Sequence, residues 1–116
     1  MTTLSEMTCE ACNTSAKLLT NDEIDSMLFK LSGWEVIVDS DIKKLRCQFF
    51  TENYHQSISF TNAIASLAES LNHHPQIIME YSSVTVIWWT HVIQGLHTND
   101  FIMAAKTSQL FKPAHC

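Results

Sequence analysis

The chain has 116 residues, the length of a single domain with room for one hydrophobic core. A hydrophobic fraction of 46% with only 16% charged residues excludes a disordered chain, and a net charge of −5 with seven scattered Lys and Arg excludes a basic nucleic-acid footprint. No apolar run approaches the ~20 residues that span a bilayer, and "MTTLSEMTCEAC" lacks the basic start and apolar stretch of a secretory signal, so a cytoplasmic location with reduced cysteines is expected.

Residues 1–19 carry little periodicity and read as an arm, followed by one domain over 20–113. The first helix opens at Thr20, whose side chain suits a capping box with Glu23; Ile24, Met27, Leu28 and Leu31 follow at helical spacing, and Gly33 suits a left-handed stop. "WEVIV" is a short strand closed by Asp39, Ser40 and Asp41. "IKKLRCQFF" is a second strand with Leu45, Cys47 and Phe49 on one face and Lys44, Arg46 and Gln48 on the other.

A long helix is expected from about Asn53 to Leu71, with Ile58, Ile64, Ala65, Ala68 and Leu71 toward the core, and Pro75 forbids its continuation. "QIIMEY" and "SVTVIWWTH" read as two further strands around a turn at Ser82 and Ser83. Thr98 then caps a last helix, which Pro113 closes. The order α-β-β-α-β-β-α predicts an α+β fold: a four-stranded antiparallel sheet with three helices packed on one face. Such a sheet leaves its other face and an edge strand uncovered, which favours self-association as a dimer or tetramer.

The chemistry concentrates in "ESLNHHPQIIMEY". His73 and His74 fall where a helix hands over to a strand, and a bend can turn both side chains toward one cavity. They also suit a plain helix end, where a cationic imidazole is favoured. His91, at the far end of the last strand, is brought back to the same corner by the hairpin register. A metal site is the rival reading, with Glu69 or Asp100 completing the ligands, but no pair at i, i+4 spacing puts two imidazoles on one helix face. Acid–base work suits imidazole near neutrality. Cys9 and Cys12 have the spacing of half a zinc site; Cys47 points inward and Cys116 is terminal, so only a site shared between subunits would complete it. No metal is expected at the histidines.

Glu69, the "HHP" of His73, His74 and Pro75, Tyr81, His91 and Asp100, with "GW" at 33–34, "FTNAI" at 60–64 and "GLHTNDF" at 95–101, resemble the signature of the pterin-4a-carbinolamine dehydratases. The likeness runs from Leu19 to Phe111 and is closest to the bacterial branch found beside phenylalanine hydroxylase. It implies dehydration of the 4a-hydroxytetrahydropterin that aromatic amino-acid hydroxylases release, with a hydroxylase such as phenylalanine hydroxylase as a possible partner and no cofactor. It assigns proton transfer to the leaving hydroxyl to His73 and His91, and pterin holding to His74. Glu69, Pro75, Trp34, Thr90 and Asp100 are then binding or orienting residues. Animal relatives also act as dimerisation cofactors for a transcription factor, so a non-catalytic binding module is the competing class; binding alone would not require His73, His74 and His91 together.

Overall fold

The computed structural model describes residue 4 and residues 18–111. In chain order the elements are α1 (Asn21–Leu28), β1 (Glu35–Asp39), β2 (Ile42–Phe50), α2 (Tyr54–Leu71), β3 (Gln76–Glu80), β4 (Ser83–Trp88), a 3-10 turn at His91–Ile93, and α3 (Thr98–Phe111). The expected α+β order is therefore the observed one. β1–β2 and β3–β4 are hairpins, and their partners β2 and β4 join them into an antiparallel sheet of order β1-β2-β4-β3.

Register explains which side chains meet the helices. Pairing of Leu45 with Trp88, Cys47 with Val86 and Phe49 with Val84 stacks their side chains on one face of the sheet. Ile77, Met79 and Val36 join the same face through their pairings. Against it pack Phe60, Ile64 and Ala68 of α2, Phe101, Met103 and Ala104 of α3, and Ile24 of α1. Each large apolar side chain fully buried here contributes about 1.5–3 kcal/mol. Phe49 lies at the centre of the rings, 4.9 Å from Phe60, 5.1 Å from Phe111 and 5.9 Å from Trp34.

Several boundaries depart from the sequence reading for identifiable reasons. The Thr20–Glu23 capping box is present, but α1 stops at Leu28; Gly33, with φ of 87°, serves the turn into β1 rather than the helix end. In α2 the buried set is Ser57, Phe60, Ile64 and Ala68, which leaves Ala65 exposed and Ile58 at the margin. Ser57 tolerates burial because its hydroxyl lies 2.6 Å from that of Thr51. The β3–β4 turn falls at Tyr81 and Ser82, and Ser83 already belongs to β4. β4 stops at Trp88, so His91 is not on the strand: Thr90 pairs with Gly95, and the chain between them folds into the 3-10 turn. Pro113, the expected close of the last helix, lies outside the described residues. No helix among them is long and apolar enough to cross a membrane.

Cys47 gives the fold a pH signature. Burial pushes its thiol from 9.0 up to about 11. The unfolded chain therefore ionises this thiol first, so its contribution to stability is fully present below pH 9.0 and drains away as pH rises toward about 11. Thermal melts should show Tm falling more steeply across that window in the wild type than in Cys47→Ser. Equal slopes would refute the assignment.

Candidate active site

The site begins with how α2 ends. Asn72 takes the left-handed conformation, φ 51° and ψ 43°. Its N–H donates to the Glu69 carbonyl at 3.3 Å, while the His73 N–H reaches back to the Ala68 carbonyl at 3.1 Å. This pair of bonds is a Schellman stop, and asparagine is among the few residues other than glycine that enter αL readily. Pro75 keeps His74 from continuing the helix and starts the chain into β3 at Gln76. Two adjacent histidines thus leave the helix in different directions.

His73 turns inward. Only 4% of it is exposed. Its ring lies parallel to the Trp88 indole, centroids 5.5 Å apart and planes 1° apart. Its Nε2 is 2.8 Å from Asp100 Oδ1. Asp100 is wholly buried. Its other oxygen accepts from the Thr90 hydroxyl at 2.8 Å and the His97 N–H at 2.9 Å. A carboxylate surrounded by donors acts as acceptor, so His73 presents Nε2–H to it. The tautomer is set by the fold.

Asp100 owes its place to the start of α3. His97, not Thr98, is the capping residue: its Nδ1 accepts the Asn99 N–H at 3.1 Å, and its own N–H donates to Asp100 three positions on. These bonds make a variant of the capping box, with an imidazole where a hydroxyl usually stands and accepting from the second helical residue rather than the third. The first turn of a helix also favours a carboxylate through the dipole. Thr98 is simply the first helical residue.

His74 turns outward, its Nε2 2.7 Å from Glu69 Oε1, with both side chains exposed. A contact so exposed contributes about 0–1 kcal/mol to stability, so its value lies in orienting the ring. His91, also exposed, donates from Nε2 to the His74 carbonyl at 3.3 Å. Its ring stacks on Trp89, centroids 4.5 Å apart and planes 12° apart.

The end of α2, the end of β4 and the start of α3 therefore bring His73, His74, His91, Glu69, Thr90 and Asp100 to one corner, with Pro75 at the head of β3. One ring is buried and pinned, and two are open to solvent. Trp88 faces the helices, its Nε1 donating to the Thr107 hydroxyl at 3.1 Å, and Trp89, just beyond β4, carries His91 against its ring. Trp34 is not gathered in. Its Nε1 donates to Ser108 Oγ at 2.8 Å and its ring meets Phe49, which commits it to the core. Trp89, Lys44 and His97 were not singled out as site residues from the sequence. The available signals were the cross-strand register for the first two and the His97-to-Asp100 spacing for the third. Among the described residues no group of three His, Cys, Asp or Glu could hold a metal ion. Cys9 and Cys12 lie outside them.

The family described as Pterin 4 alpha carbinolamine dehydratase matches residues 17–110, most of the chain. The chain belongs to the pterin carbinolamine dehydratase family. Pterin carbinolamine dehydratases are hydro-lyases, and membership places the chain in that enzyme class. It is 46% identical over 112 residues to a putative pterin-4-alpha-carbinolamine dehydratase of Nitrosococcus oceani, covering 97% of this chain and 99% of that one. A protein of the same description from Saccharophagus degradans is 43% identical over the same shares. Among solved structures, a transcriptional coactivator/pterin dehydratase from Brucella melitensis aligns with a TM-score of 0.74 at 28% identity, over 81% of this chain and 98% of that one. A pterin dehydratase-like RuBisCO assembly factor of the alpha-carboxysome shares the fold alone, with a TM-score of 0.58 at 23% identity over 67% of this chain and 88% of that one.

Proposed function

We propose that this pterin carbinolamine dehydratase removes water from a 4a-hydroxytetrahydropterin by histidine acid–base catalysis, recycling the cofactor of an aromatic amino-acid hydroxylase. In the reaction the C4a–O bond breaks and the ring nitrogen N5 forms a double bond to C4a. One proton is delivered to the departing oxygen and one is lost from N5, so a quinonoid dihydropterin and water leave together. Hydroxide leaves poorly without that proton, and general acid–base groups contribute about 10²–10⁴-fold to such steps.

The observation that carries this reading is the pinned His73, whose Nε2 is held 2.8 Å from a buried carboxylate. The Asp100 carboxylate held against Nε2 stabilises the ring when it gains a proton, the logic of a carboxylate behind a catalytic imidazole. His91 is the second group assigned to the leaving hydroxyl. Its exposed ring is turned by the His74 carbonyl and Trp89. His74, steadied by Glu69, is assigned to hold the pterin and to take the N5 proton. Thr90 and Asp100 are orienting residues. Pro75 shapes the corner.

The coactivator in the name of the Brucella melitensis structure favours a second reading, a protein-binding module. Stopped-flow dehydration of freshly generated 4a-hydroxytetrahydropterin separates the two. The proposal expects turnover well above the buffer rate, and a rate equal to buffer would leave only the module.

A further inference from the structure

We infer that Lys44 and Trp89 form a positioning pair that sets the orientation of the His91 imidazole; this rests on reading His91 as part of the reacting site. His91 needs outside support. It opens a three-residue 3-10 turn, is exposed, and its hydrogen bond to the His74 carbonyl is 3.3 Å, at the long edge of useful geometry. An exposed ring so loosely tied samples several rotamers unless a surface fixes its plane. Trp89 supplies that surface, 4.5 Å away and within 12° of parallel.

Trp89 is held in turn. Leu45 pairs with Trp88 across β2 and β4, and Lys44 and Trp89 are the residues that adjoin that last pair. The Lys44 ammonium lies 4.0 Å from the centroid of the indole, the cation–π arrangement. Lysine is almost never buried unless paired, yet Lys44 is only 7% exposed. Its charge is met by Asp39 Oδ2 at 2.9 Å. Asp39 sits at the mouth of a tight hairpin whose Ser40 and Asp41 both have positive φ, 51° and 65°. A buried cation costs stability at a position where an exposed lysine or an aliphatic residue would serve the strand equally well. What this placement adds is a rigid line from the β1–β2 turn through Asp39, Lys44 and Trp89 to His91. Neither Lys44 nor Asp39 is assigned to the substrate; they act through Trp89.

The test is Lys44→Met against Lys44→Arg, read by dehydration kinetics and by the His91 ring-proton resonances, which stacking on an indole shifts upfield. Lys44→Met should lower kcat roughly tenfold with KM changed by less than about twofold, because the ring is misaimed rather than removed, and Lys44→Arg should recover most of the loss. In Lys44→Met the His91 resonances should move downfield while those of His73 stay; in Lys44→Arg they should return. Unmoved His91 resonances in Lys44→Met, or an arginine variant as slow as the methionine one, would overturn the inference. The resonances need no turnover, so an inactive wild type would count against the proposed reaction and not against the pair. Should Lys44→Met fail to fold, Asp39→Asn at the exposed end of the line reads the same property: His91 resonances that move support the pair, and resonances that stay overturn it.

Discussion

Asp100→Asn is expected to slow dehydration by about 10²–10⁴-fold and to lower stability by about 1–3 kcal/mol. The two carboxylate oxygens accept from His73, Thr90 and the His97 main chain in a fully buried setting. An amide has one oxygen and one NH2. Either the NH2 faces the Thr90 hydroxyl and the His97 N–H, placing donor against donor, or it faces His73 and forces that ring into the opposite tautomer. The first outcome strips the start of α3 of its capping box, and the second moves the exchangeable proton to the wrong nitrogen. Urea melts and stopped-flow rates measured on one preparation separate the two losses. Asp100→Asn with wild-type rate would show that His73 does not depend on its carboxylate.

His73→Ala and His91→Ala are expected to part company. Both should cut kcat by roughly 10²–10⁴-fold as general acid–base groups. Only His73→Ala should unfold easily, by about 3–5 kcal/mol, because it empties the space beside Trp88 and deprives a buried carboxylate of its cationic or N–H partner. His91 is exposed, and its removal should shift stability by no more than about 0.5 kcal/mol. A His91→Ala protein of normal stability and normal rate would remove that ring from the mechanism.

How far the sequence shows this depends on whether a feature is local. The Thr20–Glu23 box and the alternation of Leu45, Cys47 and Phe49 are local patterns, and the structure contains both. Ala65 lies outside the core because alanine is at home on either side of a helix; the phase of α2 is decided by Ser57 and Phe60, and Ser57 tolerates burial because Thr51 and the Tyr81 carbonyl meet its hydroxyl. Thr98 outranks His97 as a cap on propensity alone, and Asp100 at the third position beyond His97 is what reverses the order. Lys44 reads as one more polar residue on a solvent face. Its ammonium lies against Trp89, just beyond β4, a contact made only because β2 and β4 pair in the fold. The corner itself was legible because Pro75 stops a helix and a hairpin must return, whereas the inward turn of His73 and the outward turn of His74 depend on the left-handed Asn72.

The most direct test of the account is a crystal structure with a dihydropterin bound. The pterin ring is expected at the corner between the His73–Pro75 segment and His91, with imidazole nitrogens within hydrogen-bond reach of its N5 and C4a edge. Ordered pterin elsewhere on the sheet, with these three rings untouched, would contradict it.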